Sequence, residues 1–230
     1  MSNPISDIYL VNGNITVFCN AHSENLKNDI LDSSLLAALE TAKQGKSQEL
    51  SWSTYTDYLG KLGWVLNGRS AQQLGFSNNN LLEVMEQGMG STLPKAEQQA
   101  IANAFAALTR LENESAAVKA FIKKLKENAT ASTASTDSSA SISTATLLTI
   151  VYSDKTVMTL QIAFETSNPL EMDILDKPRL ISIDNGANNF RLMRSSLDER
   201  RYNEFRAIVR KKLGQKIETE LLHIPLPTDE

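Results

Sequence analysis

The residues able to do chemistry are few in this chain, and their spacing is uninformative. Cys19 and His22 lie three apart, close enough for an imidazole to activate a thiolate. They fall at the end of an apolar strand pattern, however, with no third group or oxyanion donor nearby. Cys19 also shares the apolar face of Ile15 and Val17, so it reads as a buried structural cysteine. The second histidine, His223, is remote, and no paired-histidine ligand spacing occurs. Glu171, Asp173 and Asp176 form a small acidic group before Lys177-Pro178, without the spacing of a calcium loop. They read as a solvated loop. No phosphate-cradling glycine loop and no nucleophile elbow is present. The sequence therefore nominates no catalytic residue, no metal ligand and no cofactor.

The clearest asymmetry is electrostatic. Between Arg191 and Lys216 nine basic residues face three acidic ones, so this segment carries +6 while the rest of the chain carries −10. An anionic partner is the functional reading, with Arg200, Arg206, Arg210, Lys211 and Lys212 as candidate contacts. The competing reading is a solvated amphipathic helix whose cations suit its C-terminal half-dipole. On a helical wheel the cations do not make one stripe, and the whole chain is mildly acidic, with a net charge of −4. Both facts argue against nucleic acid as the partner. An unknown protein partner, self-association or an anionic membrane surface remain.

Two other stretches carry a functional alternative. Residues 141–166 could supply two long strands with a Ser/Thr-rich face, as a membrane-inserting hairpin of an effector or toxin would need. The steps Leu147-Leu148 and Ile150-Val151 spoil that alternation, and a half-buried sheet explains the same pattern. Trp52, Tyr55, Tyr58 and Trp64 gather in one segment, where Trp52 and Tyr55 read as core and Trp64 falls off the apolar stripe.

These groups must be positioned by an α+β scaffold. Asn12-Gly13 between Ile8–Val11 and Asn14–Cys19 predicts an N-terminal β-hairpin with a type I′ turn. Helical spacing follows: from Ser23 with a stop at Gly45, from Ser51 through Leu66, from Ser77, from Thr92-Leu93-Pro94, and from about Glu114. From 129 to 146, 16 of 18 residues are Ala, Ser or Thr, too little apolar surface to offset chain entropy. The period then changes to two. Strands are predicted at 147–152, 157–166, 180–183 and 190–193, as two hairpins, the second turning at 184–186. Ser196 and Glu199 have capping-box spacing before a long helix striped by Tyr202, Phe205, Val209, Leu213, Ile217 and Leu221.

The expected fold is thus an N-terminal β-hairpin, an inserted helical bundle of four or five helices, an antiparallel four-stranded sheet and a long C-terminal amphipathic helix. The expected organisation is 1–130 as hairpin plus bundle, 131–146 as linker, and 147–230 as sheet plus helix. A single domain results if the first hairpin joins the sheet. The N-terminus MSNPISDIYL lacks a basic region followed by an apolar one, so synthesis is expected in the cytoplasm, with any export by a signal-independent route. The one cysteine excludes an internal disulfide framework. The functional expectation is a non-enzymatic interaction or structural protein of microbial or phage origin. A membrane-active effector and an enzyme with a spatially assembled site are the alternatives.

Overall fold

The computed structural model describes residues 6–44, 48–131, 141–183 and 187–225. The chain opens with β1 (Ser6–Val11) and β2 (Asn14–Cys19), paired antiparallel with Val11 opposite Asn14. Asn12 and Gly13 both take positive φ, 50° and 78°, as the type I′ turn requires. A side chain on Gly13 would meet the backbone of Ala120 and Cβ of Lys124 at 2.6 Å, so the turn also docks against a later helix. Helices α1 (Glu24–Ala42) and α2 (Gln48–Lys61) follow. Ser23 caps α1 by accepting from the Leu26 amide.

Next come β3 (Trp64–Gln72), β4 (Ser77–Asn79), α3 (Leu81–Met89), α4 (Lys95–Thr109), α5 (Ala116–Glu127) and β5 (Thr130–Ala131). Two long strands, β6 (Ile142–Val151) and β7 (Val157–Thr166), precede β8 (Leu180–Ile181) and β9 (Phe190–Leu197). The chain closes with α6 (Glu199–Asn203), α7 (Arg206–Leu213), α8 (Lys216–Glu220) and β10 (Leu221–Ile224).

The protein is mixed α+β, but its sheet is larger than the four antiparallel strands expected. Ten strands join one sheet among the described residues, along β10-β1-β2-β6-β7, with β9 and β8 both pairing the far side of β7. β3 flanks β9 and β4 flanks β8. The hairpin β1–β2 enters this sheet through a parallel pairing of Ile15–Phe18 with Leu148–Val151. An isolated hairpin is marginal in water, and this pairing gives it a third strand. Alternation then divides the core. Ile15, Val17, Leu148, Ile150, Leu160 and Phe190 pack under α3, α4 and α5. Phe18, Val151, Val157 and Met193 pack under α1, α2 and α7. The sheet is sandwiched by helices on both faces.

Several expected elements are corrected. The helix expected from Ser51 through Leu66 already runs from Gln48 and stops at Lys61. Gly63 turns the chain at φ 90°, and Trp64 to Gln72 become strand. Asn80, not Ser77, caps α3 in a reciprocal capping box with Glu83. Leu180–Ile183 and Phe190–Met193 do not form a hairpin, because β9 spends its two edges on β7 and β3 while β8 pairs β4 and β7. The long C-terminal helix is three short helices, broken around Glu204 and again at Gly214, and it ends as a strand against β1. Asp198, not Ser196, caps its first piece. Of the segment 131–146, residues 132–140 lie outside the described residues and Ile142–Thr146 are the start of β6. Gly45 and the turn expected at 184–186 also lie outside the described residues.

Candidate functional site

The basic C-terminal segment splits into two populations. Two of its arginines reach back to buried carboxylates on α1, although the Arg210 side chain itself remains half exposed. Arg206 on α7 grips the Asp29 carboxylate of α1 in a fork, Nε to Oδ1 at 2.7 Å and Nη2 to Oδ2 at 2.6 Å. One turn on, Arg210 Nε donates to Asp32 Oδ2 at 2.9 Å. Both carboxylates are buried, Asp29 at 1% exposure and Asp32 at 2%. A buried carboxylate requires a cation or a proton, and the spacing of three on α1 matches the spacing of four on α7. Burial raises the Asp32 pKa despite the opposing pull of Arg210. The bond to Asp29 raises that of Arg206. Tyr202 lies fully buried beside this pair of clamps, its ring 6.0 Å from the Arg206 guanidinium. Burial first, then Asp32 and Asp29, pushes its hydroxyl pKa up.

The other three nominated cations face water. Arg200, Lys211 and Lys212 are exposed and make no ion pair among the described residues. Ile208, 56% exposed, lies on the same helix three and four residues before Lys211 and Lys212, hence on their face. The acids Asp198 and Glu204 are exposed within the same segment, and Glu199 pairs with Lys155 at 2.8 Å. Arg191 is not on this face. It is buried in β9 and donates to Gln161 Oε1 at 2.9 Å.

The remaining nominated groups are spoken for. Cys19 is 1% exposed, and burial, with Glu97 adding, pushes its thiol up to about 12. His22 Nε2 lies 3.0 Å from the Cys19 carbonyl oxygen, a bond to backbone and not to sulfur. Around Arg179, Asp173 sits at 2.7 Å and Glu171 at 3.6 Å, and Lys177 adds a contact to Asp173 at 3.4 Å. Among the described residues no group of three His, Cys, Asp or Glu could hold a metal ion. Trp64 does not fall off the core. It is buried in β3, and its Nε1 donates to Ser33 Oγ at 3.0 Å. β6 and β7 are interior strands, each paired on both sides, so release of the 141–166 hairpin would unzip the sheet at β2, β5, β8 and β9. No helix among the described residues is long and apolar enough to cross a membrane.

A cavity of about 590 Å³ lies where α1, α2 and the end of α5 meet the first half of β6. It occupies a notch in the sheet. β6 pairs β5 at Ile142–Ser143 and β2 only from Leu148 onward, leaving Thr144 to Leu147 between them. Asn128 bridges part of the notch by donating to the Ala145 carbonyl at 2.9 Å. Trp52, Tyr55, Asn14 and Lys124 contribute to the wall. A second cleft of about 430 Å³ includes Arg69, Tyr152 and Arg194.

Neither the inward clamps nor the notch was evident from the sequence. The clamps had a faint signal, namely two aspartates three apart, Asp29 and Asp32, interleaved with Ile30, Leu31, Leu35 and Leu36 of a buried helix. The notch had none, because it depends on where two distant strands begin pairing.

No protein-family model matches the chain. No curated protein matches it. Among solved structures it is similar to that described as "Structure of the Evf virulence factor", with 7% identity, over 92% of this chain and 82% of that one, at a TM-score of 0.37.

Proposed function

We propose that the chain is a non-enzymatic interaction protein whose exposed α6–α7 face docks on an acidic protein surface. The observation carrying this reading is the division of labour among the arginines and lysines. Arg206 and Arg210 pin α7 to α1 through buried carboxylates; Lys211, Lys212 and the apolar Ile208 are left outward on that pinned helix, with Arg200 exposed on the preceding α6. A rigid element presenting cations around one apolar side chain loses little entropy on docking. The exposed acids Asp198 and Glu204 favour a protein partner over a membrane. An anionic bilayer repels every acid near it, whereas a protein surface can complement a mixed pattern.

The test uses Lys211→Glu with Lys212→Glu, both at exposed positions that make no ion pair among the described residues. Fluorescence anisotropy of a labelled polyglutamate peptide should show binding to the unaltered protein that weakens with salt and is lost in the variant, with unchanged circular dichroism. Failure of the peptide to bind, or equal binding by the variant, would refute the proposal. Co-sedimentation with phosphatidylserine vesicles in preference to peptide binding would refute the choice of a protein partner.

A further inference from the structure

We propose that the free edge of β3 takes up an extended acidic segment of a partner protein as an added strand of the sheet. This inference does not depend on the α6–α7 face. β3 runs nine residues, from Trp64 to Gln72, and pairs β9 along one side. No strand pairs its other side among the described residues, and six of its nine residues are exposed. An edge of this length leaves a row of amide donors and carbonyl acceptors that a further strand can satisfy. Val65 and Leu66, 45% and 48% exposed, are successive strand residues. They therefore offer an aliphatic contact on each face of the edge.

Charge names the occupant. The ladder slips at Asn67, after which Gly68 stands opposite Arg194 of β9 and Arg69 opposite Met193. Ladder partners share a face and successive residues alternate, so Arg194 and Arg69 place one cation on each face. Both are exposed and make no ion pair among the described residues. Gly68 has no side chain, and a Cβ added there would meet nothing within 4 Å. Nothing at that position therefore separates Arg194 from the edge. β3 and β9 contain no aspartate or glutamate. In the adjoining cleft of about 430 Å³ the one acid is Asp154, whose Oδ1 accepts from the Thr156 amide at 2.8 Å. A second copy of this chain fits poorly. In an antiparallel pairing of two copies about Gly68, each Arg69 would lie two positions from its counterpart, and the two Arg194 side chains would face across the paired glycines. Like charges so placed oppose self-pairing. An acidic segment instead brings each arginine a counter-ion, and a polypeptide supplies the backbone groups in strand spacing, which a lipid surface does not.

The probe is a labelled peptide, Thr-Val-Thr-Glu-Glu-Thr-Val-Thr, which reads the same in either strand direction and carries an acid on each face. With the full chain, fluorescence anisotropy should show saturable binding that weakens with salt. Amide hydrogen exchange should slow at alternate residues of 64–72, those whose N–H groups point away from β9. The same peptide N-methylated at both glutamates keeps its charge and blocks both of its edges, so it should bind roughly tenfold more weakly or worse. Arg69→Glu, at an exposed position, should weaken the probe by a similar factor, roughly tenfold, with an unchanged melting temperature. Lys211→Glu with Lys212→Glu should bind the probe as the unaltered protein does, which separates this edge from α7. Absence of saturable binding, equal binding of the N-methylated peptide or by Arg69→Glu, or loss of binding in the lysine variant would overturn the proposal. Sedimentation velocity should give a monomer. A dimer abolished by Leu66→Lys would assign the edge to a second copy and overturn the choice of an acidic partner.

Discussion

Replacing Arg206 by alanine should destabilise the protein far more than replacing any of the basic residues that face water without an ion pair. Asp29 is 1% exposed and both its carboxylate oxygens are taken by the Arg206 fork, Nε at 2.7 Å and Nη2 at 2.6 Å. Removing the arginine leaves an ionised group inside, a loss of about 3–5 kcal/mol for a buried pair broken on one side. The Arg206 side chain is itself 33% exposed. Water can therefore enter the vacated space, which places the expected loss near the lower bound, about 3 kcal/mol. In a chain of this length that corresponds to a melting-temperature drop of roughly 6–12 °C. Urea titration followed by tryptophan fluorescence measures it, with Lys211→Ala as reference, expected within about 0.5 kcal/mol of the unaltered protein. Asp29→Leu combined with Arg206→Met should recover most of the loss, since an apolar pair of similar volume avoids desolvating either charge. A loss below about 1 kcal/mol in Arg206→Ala, the range of a surface ion pair, would refute the claim that the clamp is a buried structural contact.

Two further outcomes follow from the same burial pattern. Because Asp32 has a raised pKa in the fold, the native state holds its proton more tightly than the unfolded chain. Its contribution is therefore fully present below the ordinary carboxylate pKa and is lost as pH rises through the raised value. The stability of the unaltered protein relative to Asp32→Asn should accordingly fall with rising pH just above the ordinary carboxylate range, in urea melts at stepped pH, and a flat or rising difference would contradict the assignment. Cys19, with its thiol pushed up to about 12 and 1% exposure, should react with a disulfide reagent only on unfolding. Rapid reaction in native buffer at neutral pH would show the strand end to be open.

What could be read from the sequence depended on whether a signal was local. The hairpin at Asn12-Gly13 and the pair β6–β7 were legible because turn chemistry and alternation sit within a few residues of each other. The split of Ile15 and Val17 from Phe18 between two cores needs only the pleat. β3 was illegible for a physical reason. Val65 and Leu66 are 45% and 48% exposed on a strand with little burial, so no face imposes a period. Leu59, Leu62 and Leu66 meanwhile continue helical spacing past the true stop at Gly63. The C-terminal segment shows the converse. Tyr202, Val209 and Leu213 are buried and Phe205, Ile217 and Leu221 pack beside them, as the stripe predicts, although the helix is cut into pieces. A stripe reports which side faces the core, and kinks that keep that side inward leave it intact.

The charge pattern was misleading for the same reason. Counting +6 along a segment treats its cations as alike, yet Asp29 and Asp32, more than 170 residues away in sequence, decide which of them can meet a partner. Those aspartates and the pairing gap over Thr144 to Leu147 are both products of tertiary assembly. The basic face and the notch share α1 but differ in their other walls. The face depends on the α1–α7 clamps, whereas the notch depends on where β2 and β5 release β6. Arg206→Ala should therefore perturb presentation of Lys211 and Lys212 while leaving the cavity's strand walls in register. Loss of amide hydrogen-exchange protection along the β6–β7 pairing in that variant, under conditions where it remains folded, would show that the two regions are coupled through α1.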